Sequence, residues 1–108
     1  MAEVLADFPE LIVDTDGVRY RAQAHGALAE NGLWEGWIAF APITGGAAIR
    51  SGRETTQPNL KDAVYWASGL RPVYLEGALE RARHPHLWTS ETAREAPKDG
   101  PSDFADRF

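Results

Sequence analysis

The chain has no cysteine among its 108 residues, so no disulfide framework holds it together and no thiolate can act as a nucleophile or metal ligand. Long apolar runs are also absent. The first ten residues mix acidic and apolar positions and lack the positively charged start of a signal peptide. We therefore expect a cytoplasmic protein that neither crosses a membrane nor is exported through a cleaved leader.

Positive charge is scarce, with 11 Lys and Arg against 16 Asp and Glu and a formal net charge of -5. This average argues against a general affinity for nucleic acid or anionic membranes. The distribution is uneven, because residues 18–53 hold four arginines against only Glu30 and Glu35. A local basic surface is therefore compatible with the acidic chain.

Signatures of catalysis and metal binding are missing as well. No serine lies in a nucleophile elbow, and Gly45-Gly46 suits a hairpin turn better than a phosphate-binding loop. His84-Pro85-His86 offers two imidazoles, but their spacing matches no established zinc pattern, and the end of a helix is the simpler interpretation. We predict no catalytic residue, metal or cofactor, and hence a protein that is not an enzyme.

Aromatic residues are well represented, with four Trp, four Phe and three Tyr in a chain that is 44% apolar. The segment 32–41 concentrates them between a turn signal, Asn31-Gly32, and Pro42. Even spacing places Trp34, Ile38 and Phe40 on one side of an extended chain. This segment is predicted to be the central strand of a sheet.

Two further strands are predicted beside it. From Val18 the sequence alternates, with Tyr20, Ala22 and Ala24 on one side and polar residues between them. We expect this strand to end near Gly26, and Asn31-Gly32 to close a hairpin. Residues 47–55 form a weaker third strand, and the three together make an antiparallel meander.

Helical signals follow the strands. Asn59 is placed to cap a helix whose first turn holds Asp62, and Ser68-Gly69 ends it. Arg71-Pro72 begins a second helical stretch that ends at His84-Pro85. The sequence thus predicts an α+β fold: a three-stranded antiparallel β-sheet with one kinked or two short helices packed on one face. The buried side of the sheet would carry Tyr20, Trp34, Ile38, Phe40 and Ile49.

Composition divides the chain into three parts. Residues 1–13 form an N-terminal segment, which is either a short amphipathic helix that carries Ala2, Val4, Leu5 and Phe8 and ends at Pro9 or, at 11–13, a short strand. Residues 14–88 form a single α+β domain. Residues 89–108 are predicted to be a disordered acidic tail, because they hold too few large apolar side chains to offset chain entropy.

The second face of the sheet supplies the candidate site. If Trp34 points at the helices, Glu35 and Trp37 point away, together with Arg19 and Arg21 on the neighbouring strand. Such a surface suits a peptide or protein partner, or the stacking of RNA bases. The alternative is that Trp37 is shielded by arginine stems, by the N-terminal segment or by the tail.

The polar stretch 50–59 is a second candidate. Arg50 and Arg53 precede a helix start, where backbone N–H groups can hold an anion such as phosphate. The alternative interpretation is helix capping by Thr56 or Asn59 together with a surface network between Arg53 and Glu54.

Five segments together resemble a family of small uncharacterised bacterial proteins: 16–20 (DGVRY), 32–40 (GLWEGWIAF), 53–59 (RETTQPN), 65–70 (YWASGL) and 73–79 (VYLEGAL). That resemblance covers roughly residues 14–83 and implies no particular activity. In the order of its elements the chain is also similar to the HicB-like antitoxin domain and to the double-stranded-RNA-binding type of sheet. This second resemblance implies a nucleic-acid-related regulator, although the chain lacks a lysine-rich helix start and a helix-turn-helix.

From these observations we expect a binding or regulatory module that takes a protein or peptide partner, including a second copy of itself, on the exposed sheet face. The alternative is a nucleic-acid-related regulator that contacts phosphates through the strand arginines. The residues predicted to bind are Trp37, Arg19, Arg21, Glu35, Arg50 and Arg53.

Overall fold

Two long strands form the centre of the structure, and both follow from the alternation of side chains. The computed structural model describes residues 2–84. Along most of β3 (Arg19–Leu28) and β4 (Trp34–Pro42) every second residue is buried, as expected when one face of a sheet is packed. Gly32 closes the hairpin between them with a φ of 86°, which glycine adopts without steric cost. The other elements are β1 (Glu3–Asp7), β2 (Ile12–Val13), β5 (Ile49–Arg50), β6 (Thr55–Gln57), α1 (Leu60–Ser68) and α2 (Pro72–Arg83).

The sheet has six antiparallel strands arranged in four rows. The order is β1-β3-β4-β5, with β2 also pairing with β3 and β6 also pairing with β4. The predicted α+β class with an antiparallel sheet is confirmed. The predicted number of three strands is too low, because both outer rows consist of two short strands each.

The N-terminal segment is extended, so the helical alternative for it is wrong. Residues 3–7 pair with β3 as β1, and Ile12–Val13 pair with it as β2. A helix of so few residues is marginal in water, whereas an extended chain satisfies its backbone groups along the edge of β3. Both short strands belong to the same sheet as β3 and β4, which lie within the domain predicted for residues 14–88.

The predicted third strand is interrupted. Ser51 is buried beside β4, where its N–H donates to the Ile38 carbonyl at 2.9 Å and its Oγ accepts from the Ile38 N–H at 3.0 Å. Pairing resumes at Glu54, whose N–H donates to the Gly36 carbonyl. The four residues 51–54 lie opposite only two residues of β4, which splits the strand into β5 and β6.

The helices begin and end where their capping residues predict. The Asn59 side chain accepts from the Asp62 N–H at 2.8 Å, so the capping alternative for the stretch 50–59 is confirmed. The Gly69 N–H bonds to the carbonyls at the end of α1. Helix α2 starts with Pro72 at its first position and ends at Arg83, after which the His84 N–H donates to the Glu80 carbonyl.

The core lies between one face of the sheet and the two helices. Ile38 and Phe40 are fully buried, and the ring of Phe40 meets that of Tyr20 edge-on at 6.4 Å. Trp34 and Ile49, predicted to share this face, are only half-buried. The buried apolar residues from the other elements are Ile12, Ala22, Ala24, Ala63, Ala67, Leu75, Ala78 and Leu79.

A pair of facing glycines lets two large side chains approach this inner face. Gly26 and Gly36 are opposite each other in the β3–β4 ladder. A Cβ atom on Gly36 would lie 2.8 Å from the Trp66 ring of α1, and one on Gly26 would lie 2.9 Å from Leu5. Glycine inside a strand often marks such a close approach. Gly26 therefore does not end β3 as predicted, and the strand continues to Leu28.

Several predictions lie outside the described residues. These are the second histidine of the 84–86 pair, the end of the domain at residues 85–88, and the disordered tail at 89–108.

Candidate functional site

The side of the sheet that faces away from the helices is the candidate site, and we call it the outer face. Alternation along β3 and β4 brings its residues there, and the pairing of Gln23 with Ala39 and of Ala39 with Arg50 sets their lateral order. The outer face comprises Val4 and Asp7 of β1, Val13 of β2, Arg19, Arg21, Gln23, His25 and Ala27 of β3, Glu35, Trp37, Ala39 and Ala41 of β4, Arg50 of β5 and Thr56 of β6.

Trp37 lies at the centre of the outer face, on the side of the sheet that the sequence predicts. The Arg50 guanidinium carbon is 4.1 Å from the centre of the Trp37 ring, within the range of a cation–π interaction. The Nε of Arg50 also donates to the Ser51 carbonyl at 3.2 Å, which holds the side chain in place. On its other side Trp37 meets His25 edge-on at 6.1 Å. Trp37 is thus partly shielded by an arginine stem, as one of the predicted alternatives has it.

His25 belongs to a chain of hydrogen bonds that leads to the edge of the sheet. Its Nε2 lies 3.0 Å from the Gln23 Oε1, and the Gln23 Nε2 donates to the Asp7 carboxylate at 2.8 Å. Because the Gln23 oxygen only accepts, the imidazole donates through Nε2. Burial and then the charge of Arg50 lower the pKa of His25, which Asp7 only partly offsets. The imidazole is therefore neutral at neutral pH.

Three arginines of the outer face have no carboxylate within salt-bridge distance in the part of the chain described. Arg19, Arg21 and Arg50 are exposed, and none of them enters an ion pair with residues 2–84. Arg53 differs, because its guanidinium lies 3.8 Å from Glu35. That pair is 62% and 41% exposed, so it contributes little to stability.

A shallow depression of about 240 Å³ lies on the outer face beside Trp37. Ala39 and Ala41 form its floor, since two small side chains alternate there on β4. Its rim is formed by Arg21, Gln23, His25 and Ala48. Sequence reasoning missed this feature; its signal is a pair of alanines at alternate positions opposite longer polar residues.

A buried ionic network on the other side of the molecule was also missed. The Asp14 carboxylate accepts from the N–H groups of Asp16 and Val18 at 2.9 Å, from the Tyr20 hydroxyl at 3.0 Å, and lies 3.3 Å from Arg83 Nε. Burial alone would raise the pKa of Asp14, but these hydrogen bonds and Arg83 lower it below its usual value. Burial and the neighbouring Asp14 raise the pKa of the Tyr20 hydroxyl. The network joins the β2–β3 turn to the end of α2.

A second network joins the interrupted edge to α2. The Glu54 side chain is 8% exposed, and it accepts from Arg81 Nη2 at 2.6 Å and from the Tyr74 hydroxyl. Burial and then the charge of Glu54 raise the pKa of Tyr74. Every charge in this network is compensated by another member of it. We infer that both networks stabilise the packing of α2 against the sheet.

The other predicted positions are dispersed. Arg50 stacks on Trp37, and the start of α1 is already capped by Asn59. The predicted surface network between Arg53 and Glu54 is wrong, because Arg53 lies beside Glu35 while the buried Glu54 side chain pairs with Arg81. His84 follows α2, with its imidazole 3.7 Å from Glu80. Within residues 2–84 no group of three or more His, Asp or Glu side chains is placed to hold a metal ion. A groove of about 420 Å³ separates residues 6–10 from the α1–α2 connection.

Neither described helix has the length and hydropathy needed to cross a bilayer. No protein-family model, curated protein or solved structure matches the chain. The function must therefore be argued from the site itself.

Proposed function

We propose that this chain is a non-enzymatic binding module that takes a peptide or protein segment on its outer face. The observation that supports the proposal most strongly is that the outer face carries Trp37 beneath Arg50 together with the exposed Arg19 and Arg21 further along β3, and that these three arginines have no carboxylate partner among the described residues. Tryptophan and arginine are the side chains that most often dominate binding energy at protein interfaces.

A second copy of the same face is a poor partner for it. The outer face carries three exposed arginines against Asp7 and Glu35, of which Glu35 already pairs with Arg53, so two such faces brought together would repel each other. Self-association through the outer face would need an acidic surface of another copy instead. The oligomeric state in solution, measured by size-exclusion chromatography with light scattering, separates this case from a foreign partner.

The nucleic-acid alternative uses the same arginines but needs a different surface. Sequence-tolerant binding of single strands relies on aromatic rings on which bases stack. The ring of Trp37 already carries the Arg50 guanidinium on one of its faces, and His25 contacts it from the side. This arrangement favours a peptide over a stacked base.

Selection from a displayed library of random nonapeptides tests the proposed function. Peptides selected by the wild-type protein should lose most of their affinity for Trp37→Ala, measured by fluorescence anisotropy. Tyr65→Ala is the matched control, because it removes an aromatic side chain that is 79% exposed on α1. Equal binding to wild type and Trp37→Ala, or no selection at all, would reject the outer face as the site.

A further inference from the structure

The outer face carries a positive charge that runs against the rest of the chain. The protein as a whole has a formal charge of -5, yet the outer face carries three exposed arginines, of which Arg21 borders the depression and Arg50 covers Trp37. Elsewhere in the described structure Arg81 and Arg83 bind carboxylates of the same chain. Because a guanidinium matches the planar, bidentate geometry of a carboxylate, unpaired exposed arginines suit carboxylates supplied by a partner.

The spacing of two of these arginines matches an extended peptide. Arg19 and Arg21 lie two residues apart on β3 and project from the same side of the sheet. Alternate residues of an extended chain are separated by roughly 7 Å, and the partner's own side chains repeat with the same period. Carboxylates at alternate positions of an extended peptide would therefore meet Arg19 and Arg21 in register.

The depression sets a second requirement for the bound peptide. Its volume of about 240 Å³ is smaller than the roughly 300–1,000 Å³ typical of sites for small-molecule ligands. Its floor is apolar, since it is formed by Ala39 and Ala41, and its rim includes Arg21. The space suits one apolar side chain lying next to an acidic residue that pairs with Arg21.

We propose that the occupant of the outer face is an acidic peptide segment with one apolar anchor side chain in the depression over Ala39 and Ala41. This inference rests on the proposed function and narrows it to one partner chemistry. Arg19 and Arg21 bind alternate carboxylates, and Arg50 both covers Trp37 and supplies the third positive charge.

The test extends the random nonapeptide selection to the composition of the peptides. Wild-type protein should enrich Asp and Glu together with a single large apolar residue, and the selected affinity should fall as NaCl is raised. Replacing the acidic residues of the best selected peptide by Gln and Asn should weaken binding at least tenfold. Enrichment of neutral or basic peptides would overturn the inference.

Variants of the protein test which arginines bind the acidic peptide. Arg19→Gln and Arg21→Gln should each weaken binding of the best acidic peptide by about 1.5-fold to fivefold at low salt, the range for exposed ion pairs. Arg71→Gln is the matched control, because it removes one exposed positive charge at the start of α2. Equal losses for Arg21→Gln and Arg71→Gln would show a general charge effect and reject the arginine site.

Filling the depression tests the anchor. Ala41 is exposed, so Ala41→Leu is tolerated by the fold, as unchanged thermal unfolding would verify. The variant should weaken the selected peptide at least tenfold but leave a version with alanine at the anchor position unchanged. A loss of equal size for both peptides would contradict an anchor in this space.

The outcomes separate this inference from the proposed function. Neutral or basic peptides that still depend on Trp37 would leave the binding module standing and reject the acidic partner. Absence of any selected peptide would reject both. Arginine-dependent, salt-sensitive binding of a twelve-nucleotide oligouridylate with no peptide selected would assign the outer face to nucleic acid instead.

Discussion

The two faces of the sheet are built from the same strands but differ in what fixes their side chains. On the inner face Ala22, Ala24, Ile38 and Phe40 are fully buried against the helices. On the outer face the alternating residues of the same strands are polar, charged or only partly buried. The inner side chains are determined by packing, whereas the outer ones are not constrained by packing against the helices.

The arginines show the same difference. Arg81 and Arg83 of α2 bind carboxylates that are almost completely buried, and they join the helix to the sheet. Arg19 and Arg21 contribute no such connection among the described residues. Residue type alone therefore does not identify the arginines that stabilise the fold; their position beside a buried carboxylate does.

Truncating one aromatic residue on each face should show most clearly how differently the two faces contribute to stability. Phe40→Ala removes a fully buried ring and should destabilise the protein by about 3–5 kcal/mol. Trp37→Ala removes a partly exposed ring and should cost less than half as much. Urea denaturation followed by circular dichroism measures both. Equal losses would mean that Trp37 serves the fold, and the outer face would no longer be a candidate site.

Asp14→Asn should give the second-largest loss of stability at neutral pH. Asn still accepts the backbone hydrogen bonds of Asp16 and Val18, but it leaves the Arg83 guanidinium without its buried counter-charge. Asp16→Asn is the control, since that side chain is 71% exposed although it also contacts Arg83.

The pH dependence of this variant has a definite sign. Because the pKa of Asp14 is lower in the folded protein than its ordinary value of 3.8, its ionisation stabilises the fold above that pH. The stabilisation is lost as the pH falls through the lowered pKa. The stability gap between wild type and Asp14→Asn should therefore close in strong acid, and a gap that stays constant there would contradict the lowered pKa.

Local signals explain which parts of the fold were predictable. Alternation identified β3 and β4, Asn59 with Asp62 identified the start of α1, and Pro72 identified α2. The short strand β1 was not predicted, because its extended shape depends on pairing with β3 rather than on its own sequence, whereas β2 agrees with the short-strand alternative for residues 11–13. The interruption at Ser51 depends likewise on its bonds to Ile38 across the ladder.

The candidate site was predictable only as far as the side of the sheet on which its residues lie. The side of the sheet on which Trp37, Arg19 and Arg21 lie follows from the two-residue period. The depression and the stacking of Arg50 on Trp37 require the lateral register between strands. That register depends on loop lengths and on the interrupted edge, which sequence patterns do not specify.

Gly36→Ala should test how closely α1 approaches the inner face. The added methyl group would meet the Trp66 ring at 2.8 Å and the Thr55 side chain at 2.9 Å, so overpacking should cost about 1–3 kcal/mol. Gly52→Ala is the matched control, because a Cβ there meets no atom within 4 Å. Thermal unfolding of both variants measures the difference, and equal melting temperatures would contradict the tight Trp66 contact.

His25→Gln should have the smallest effect, and only in mild acid. Arg50 on β5 opposes protonation of His25 together with burial, Asp7 on β1 favours it, and Trp37 on β4 packs against the ring. Because the folded pKa lies below the ordinary value of 6.5, wild-type stability is complete above pH 6.5 and declines as the pH falls through the lowered pKa. Gln does not titrate, so the variant should lack this part of the decline. Chemical denaturation at pH 7.5 and pH 5 measures it, and parallel declines in both proteins would show that His25 does not titrate with a lowered pKa.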